Sequence, residues 1–497
     1  MLLDKFKNFF LVIKEIIWPI KKEELKLFLP MALMMLCILF NFGSLRSIKD
    51  GLIIPSIGAE VISFLKLWLV LPSSVIFTIL YVKLSNKFNF EHIFYIIVTC
   101  FLVFFLLFAF IIYPHPDLYH PSTDTIKSLS LQHPNFQWFI KIAGNWSYAL
   151  MYVFSELWSV VVINLMFWQF ANHIFSIENA KRLYPILGMI GNLGLIIAGN
   201  ILVKFSNVEQ VTWSEMSEDL SFQYQSEMML KPLIVIIVCA GILAMILFRI
   251  INRIILVNNS AELGVQQITS GTKTKLSISE SLKLIITSKY IGHIVLLILC
   301  YGLLINILEG PWKSKVRELY PNTIDYINFM GRFNIWMGIS CVTFMIIGSN
   351  ILRKVSWLTS ALLTPLMLGT TGLIFFTFVI FSNNIPFDPL YVAVIVGAIQ
   401  NILSKSTKYS LFDSTKEMAY IPLPLELKTK GKAAVEVIGL KFGKSLGAFI
   451  QSSIFIFMPT ATFDSIGIYL MITFIVVITI WVWDVVKLNR EYLKLCN

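Results

Sequence analysis

Charge is what this chain has least of. Asp, Glu, Lys and Arg make up 14% of its 497 residues, against about a quarter in ordinary soluble proteins. Acidic residues are the scarcer sign, 29 against 40 basic ones, which leaves a net charge of +11. With 57% hydrophobic residues and a mean hydropathy of +0.77, the chain carries more apolar surface than a soluble interior hides. A single water-soluble core is therefore excluded, and lipid is the solvent.

Chemistry-bearing patterns are also missing. The six cysteines (Cys37, Cys100, Cys239, Cys300, Cys341, Cys496) contain no CxxC pair, and five lie in apolar runs, so neither a metal site nor a disulfide framework is expected. His115, His120 and His133 share one loop without metal-ligand spacing and read as solvated. There is no GxSxG, HExxH or GxGxxG following a strand. Gly443-Lys444-Ser445 imitates the end of a phosphate loop, but only three residues separate Gly439 from the Gly-Lys pair where four are needed. Gly439, Gly443 and Gly447 instead make one close-packing helix face. No catalytic residue, metal or cofactor is expected, and the chain does not read as an enzyme. A membrane glycosyl- or prenyltransferase needs paired acidic residues or a DxxD near a membrane face, and none is present.

What is abundant is long apolar sequence. Uncharged stretches cover Leu27–Leu45, Ile93–Tyr113, Leu183–Val203, Pro232–Phe248, Tyr290–Leu308, Phe333–Leu352, Val355–Phe387, Pro389–Ser404, Val437–Met458 and Ile466–Trp483. Val61–Val82 and Trp146–Gln169 carry one charge each. These predict about twelve transmembrane helices, and the continuous apolar faces exclude a β-barrel, which alternates. Ahead of them, Phe6, Phe9, Phe10, Ile13, Ile16 and Ile17 recur at helical spacing, predicting a segment lying along the membrane surface. That N-terminus carries Asp4, Glu15, Glu23 and Glu24 and no small-residue cleavage site, unlike a signal or transit peptide.

The basic residues set the orientation. With the N-terminus inside, the inner segments hold 27 Lys and Arg and the outer loops nine, so both termini are expected in the cytoplasm of a multi-pass inner-membrane protein. The polar stretch around NNSAELGVQQITSGTKTK lacks apolar periodicity and reads as a linker. The expected organisation is a cytoplasmic or interfacial segment 1–26, a six-helix half 27–251, a cytoplasmic linker 252–289, a second six-helix half 290–486, and a cytoplasmic tail 487–497. Two six-helix halves with a central linker are the arrangement of major-facilitator-type transporters, whose site lies between the halves.

Function is then sought among charges that lipid rejects. A Lys or Glu at mid-bilayer costs roughly 2.5–3.5 kcal/mol on insertion scales and faces a cavity or a partner. Arg46 and Lys49 end span one in LRSIKD, Glu156 sits in SELW of span four, Glu309 and Lys313 lie in LEGPWKSK after span seven, and Lys405 and Lys408 follow span ten. Spans one, four, seven and ten line the cavity in the facilitator architecture. The competing reading for Arg46, Lys49, Lys313 and Lys315 is snorkelling at helix ends. For Glu156, flanked by uncharged residues, that reading is weak. Lys66, Lys441 and Lys444 add further intramembrane positive charge. Lysines over a glycine-lined surface suit a phosphate chain. Trp158, Tyr152, Trp312, Trp336 and Phe167 are candidates for stacking on a base, although packing is the commoner role of a membrane aromatic.

IIWPI, PMALMMLCILFN, LRSIKDGL, SELW, FWQFANHI, ILEGPWKSKVRELYP, GSNILRKVSWLT and above all QNILSKSTKYSLFDSTKEMAYIPL followed by KTKGKAAVEVIG are similar to stretches of one family. From about residue 16 to its end the chain resembles the ATP/ADP translocases of obligate intracellular bacteria and plastids, most of all the rickettsial branch. The resemblance implies a nucleotide carrier without an obligatory protein partner, and no nucleic-acid partner is expected. Its substrates are ATP, ADP or other nucleotides, moved by ATP/ADP exchange or by uptake of host nucleotides. The alternatives are a paralogue importing non-adenine nucleotides and a facilitator for another phosphorylated organic anion. The family's important charges correspond to Lys49, Glu156, Glu309 and one of Lys405, Lys408 and Lys416. The phosphate-binding candidates are thus Arg46, Lys49, Lys313, Lys405, Lys408, Lys416, Lys441 and Lys444, with Glu156, Glu309 and Asp413 as gating or charge-pair residues. Ser159, where a Gly is expected, and Pro311, where a less rigid residue is usual, are departures that bear on substrate identity.

Overall fold

Lipid offers a backbone no hydrogen bonds, so a chain of this composition satisfies its peptide groups within helices. The computed structural model describes residues 20–21, 23–175, 177–207, 218–257, 288–381, 388–423 and 442–496, and among these there are helices and no strand. Eleven helices are long and apolar enough to cross a membrane: α1 (Leu25–Ile57), α2 (Val61–Ser85), α3 (Phe90–Ile112), α4 (Trp146–Asn172), α5 (Arg182–Ser206), α6 (Tyr224–Ile254), α7 (Lys289–Leu319), α8 (Thr323–Leu352), α9 (Trp357–Ile380), α10 (Pro389–Ala419) and α12 (Gly467–Leu495). The expected eleventh span begins outside the described residues, and its described part is the apolar helix α11 (Phe442–Phe457). The surface segment Lys5–Trp18, residues 258–287 of the linker, Glu209, Glu215, Gly439 and Lys441 also lie outside them.

Three helices run far beyond the uncharged stretches that announced them. Expected to end at Leu45, Leu308 and Ser404, they continue to Ile57, Leu319 and Ala419. Arg46, Lys49, Lys313, Lys405 and Lys408 are therefore inside helices, and counting them with the loops was wrong. The uncharged window stops at the first ion, but a helix does not stop where the ion meets a partner inside the protein.

Small residues set the close helix contacts, as expected where lipid supplies no hydrophobic drive for association. A Cβ on Gly194 of α5 would lie 2.4 Å from the Leu36 carbonyl oxygen of α1. Gly443 and Gly447 of α11 pack on α7, with Cβ positions 3.0 Å and 3.1 Å from the carbonyl oxygens of Leu299 and Leu303. On α10, Gly397 admits the Trp312 indole, whose Nε1 donates to the Val394 carbonyl at 3.0 Å.

The groups α1–α6 and α7–α12 are joined on the side that holds the ends of α1 and α7. Asn334 donates to the Gly43 carbonyl and to Ser47 Oγ at 3.0 and 2.9 Å. Further out, Asn328 donates to Ser206 and Asn207 at 2.8 and 2.7 Å. Asn135, in the loop before α4, donates to the Ile456 carbonyl at 2.9 Å. The apolar core of α7–α12 is continuous on this side with Ile53, Ile54, Val61, Phe64 and Trp138 of the first group. In the same loop His120 is half-buried and meets Ser147 Oγ at 2.7 Å, rather than standing free in solvent. Burial holds its imidazole below its usual pKa.

The seam depends on Gly199 of α5 and Gly331 of α8, because a Cβ at Gly199 would stand 2.4 Å from the Gly331 carbonyl oxygen. Gly199→Leu is expected to push the halves apart, since overpacking costs about 1–3 kcal/mol. On a background without the native cysteines, Asn328→Cys should react faster with a membrane-impermeant maleimide once Gly199→Leu is added. Equal labelling rates would show that the seam tolerates the side chain.

Candidate functional site

In the middle of the seam, spans α1, α2, α4 and α7 bring seven ions together. On α1, Arg46, Lys49 and Asp50 fall at i, i+3 and i+4 and so share one face; on α7, Glu309 and Lys313 do the same at i, i+4. The contacts alternate in sign. Glu156 of α4 meets Lys49 at 3.1 Å, and Lys49 meets Asp50 at 2.7 Å. Asp50 reaches across to Lys313 of α7 at 2.8 Å, and Lys313 meets Glu309 at 3.1 Å. Glu309 also reaches back to α1 and α2, to Arg46 at 3.2 Å and Lys66 at 2.8 Å. Three of the six pairs therefore tie α1 or α2 to α7.

Burial decides what these ions are doing. The side chains of Asp50, Lys313 and Lys49 are 0%, 1% and 3% exposed, which excludes snorkelling into water at a helix end. Glu156, at 31%, is the most open member. Neutral groups take up the remaining donors: Lys66 donates to Asn306 Oδ1 at 2.8 Å, and Gln451 of α11 donates to the Asn306 carbonyl at 2.9 Å. The Lys49 ammonium lies 3.8 Å from the centre of the Tyr152 ring, a cation–π contact that is strongest where water is excluded.

The helices are locally altered where the ions sit. Wide π-helical turns cover Leu65–Val70, which includes Lys66, Trp158–Phe167 just after Glu156, and Lys408–Phe412 just after Lys405. Such turns recur at functional sites because they re-aim side chains. The last one has a visible effect: it brings Lys408 and Asp413, five residues apart, to 2.7 Å. Pro311, between Glu309 and Lys313, has no N–H to give the Ile307 carbonyl.

Of the eight basic residues expected at the site, Arg46, Lys49 and Lys313 are in the chain of ion pairs, with Glu156 and Glu309. Lys405 lies beside it, over the Phe333 ring at 5.6 Å, while Arg46 faces the same ring at 5.9 Å. The field of exposed Lys444 reaches Glu156 and Lys405. Lys408, Lys416 and Asp413 form a separate group nearer the other end of α10, with Lys416 3.9 Å from Asp413 and 3.6 Å from Glu417. Lys441 is outside the described residues. Asp50 and Lys66 were not among the expected site residues. Asp50 was readable in principle, because positions 46, 49 and 50 share a helix face, but beside Lys49 it resembles a local pair. The aromatic candidates Trp158, Tyr152, Trp312 and Phe167 are fully buried in packing, and Trp336 is 64% exposed.

Comparison with known proteins agrees with this architecture. The TLC ATP/ADP transporter family matches residues 3–492. The chain is 70% identical to ADP,ATP carrier protein 3 of Rickettsia conorii and 69% identical to that of Rickettsia prowazekii, each over 99% of both chains. It is 47% identical to ADP,ATP carrier protein 1 of Rickettsia prowazekii, again over 99% of both. Among solved structures it is similar to the xylose transporter XylE from E. coli in a partially occluded inward-open conformation. That match has a TM-score of 0.55 and 12% identity, and covers 92% of this chain and 97% of the other. A point mutant of the nucleoside transporter NupG matches with a TM-score of 0.52 and 11% identity, covering 93% and 99%. At these identities the two structures speak for the fold alone, that of the major facilitators.

Asp50 holds two lysines from opposite groups of helices, so its removal leaves both short of a counter-charge. Asp50→Asn is expected to destabilise the purified protein by about 3 kcal/mol, the range for breaking a buried pair from one side, and to lower its thermal midpoint. Adding Lys313→Met should recover part of the loss. An unchanged midpoint for Asp50→Asn would remove Asp50 from the centre of the network.

Proposed function

Because the chain belongs to the TLC ATP/ADP transporter family, we propose that it carries nucleotides across the bacterial inner membrane by alternating access, exchanging ATP for ADP or importing host nucleotides. The substrate crosses unchanged, with no chemical step. The observation that carries the reading is the chain of ion pairs between α1, α2 and α7. It closes one side of the molecule and contains four cations and three carboxylates, with Lys405 and Lys444 adding positive charge beside it. A nucleotide phosphate chain has the charge to compete with Asp50, Glu156 and Glu309 for those cations. Binding would then loosen the pairs that hold the halves together.

The segments 27–251 and 290–486 act as the two moving bodies, and 1–26, 252–289 and 487–497 lie on the cytoplasmic side. Obligatory exchange follows from electrostatics. An empty carrier that parts its halves strands Glu309 from Arg46 and Lys66, and Asp50 from Lys313, in a poorly hydrated gate. A bound nucleotide offers the cations another partner, so loaded forms cross more readily.

A second reading, a paralogue importing non-adenine nucleotides, rests on Ser159 and Pro311, which depart from the residues usual in the ATP/ADP type close to Glu156 and Glu309. The test is uptake of labelled ATP into proteoliposomes with and without internal ADP. Exchange predicts uptake that depends on the internal nucleotide, and uptake indifferent to it would refute strict exchange. Competition by the set of nucleoside mono-, di- and triphosphates then identifies the base, and proteoliposomes that take up a labelled non-adenine nucleotide but no labelled ATP would favour the second reading.

A further inference from the structure

The basic residues near the seam are of two kinds. Arg46, Lys49, Lys66 and Lys313 each face a carboxylate at 2.7–3.2 Å. Lys408 is likewise held by Asp413, and Lys416 lies within 4 Å of two carboxylates. Lys405 is different. Its Nζ is buried without a hydrogen-bond partner, and among the described residues it makes no ion pair.

An ammonium has three donors to satisfy, and a buried charge left unpaired is far less stable than a paired one. The surroundings of Lys405 do not relieve it. The charges whose fields act on it most are Arg46, Lys313 and Lys444, all positive, and Glu309, which already serves three cations. The nearest aromatic face, Phe333, is shared with Arg46. The fold thus keeps a buried ammonium with no carboxylate partner beside a gate whose other cations each face one.

We propose that Lys405 is the residue that takes the phosphate chain of the transported nucleotide, whereas Arg46, Lys49, Lys66 and Lys313 hold the gate. This rests on the nucleotide-carrier reading and divides its cations by role. The unpaired lysine binds an anion without first breaking a protein ion pair. The paired ones give up a carboxylate to do so, and that exchange belongs to opening. The same division takes Lys408 and Lys416 out of the phosphate site, because Asp413 and Glu417 already face them.

The test is calorimetric titration of the purified full-length protein with ATP, pyrophosphate and adenosine. Lys405→Gln should weaken ATP and pyrophosphate by about tenfold or more, the effect of one charge-assisted hydrogen bond, and leave adenosine unchanged. Lys405→Arg should restore most of the affinity. Lys66→Gln should keep pyrophosphate affinity within about threefold while slowing exchange. Lys405→Met, which keeps the aliphatic stem, replaces the glutamine variant if that one does not fold. Wild-type affinity for pyrophosphate in a folded Lys405 variant overturns the proposal, as does an equal loss in Lys66→Gln. A wild-type protein that binds none of the three probes overturns the nucleotide-carrier reading and this inference with it.

Discussion

A charge in lipid has to be answered by another charge, and in this protein that answer is given across the boundary between two groups of helices. Asp50 and Glu309 are the two anions through which it passes: the first joins Lys49 to Lys313, and the second joins Arg46, Lys66 and Lys313. The first group carries three of the cations and two of the carboxylates, whereas Glu309 and Lys313 of α7 pair with each other. α1 and α2 carry an excess of cations next to α7, and Glu309 meets part of that excess only while the groups are in contact. Association of the halves at the ends of α1 and α7 is therefore coupled to ion pairing, which is what a carrier needs if an anionic substrate is to influence its conformation.

The packing around the cluster supports a contact that can be remade. The seam is built from Gly199, Gly331 and hydrogen bonds made by Asn328 and Asn334, and one apolar core runs across it, joining Ile53, Val61, Phe64 and Trp138 of the first group to α7–α12. π-helical turns at Lys66, after Glu156 and after Lys405 add local freedom beside the ions.

Much of this architecture is legible in the order of the residues. Apolar runs mark the spans, since a window of about twenty residues measures what lipid accepts. Glu156, alone in an apolar stretch, points to the site by itself. The helix ends at Ile57, Leu319 and Ala419 are not legible, because hydropathy reads a buried ion and an exposed one alike. Pairing is hidden for another reason: Arg46 and Glu309 lie 263 positions apart, and no local pattern ties them. Lys405, Lys408 and Lys416 look equivalent in one basic stretch. Only a π turn, which brings Asp413 back onto Lys408, separates the paired lysines from the unpaired one.

The central claim is that nucleotide binding loosens the ion pairs that tie α1 and α2 to α7. Spin labels at Ser56→Cys and Asn322→Cys flank one cavity between the two groups of helices, and the distance distribution between them reports that contact. The account predicts a short distance in the empty carrier and a second, longer population when ADP is added, with the longer population already present when Asp50 is replaced by Asn. A distribution indifferent to both ADP and Asp50→Asn would contradict it.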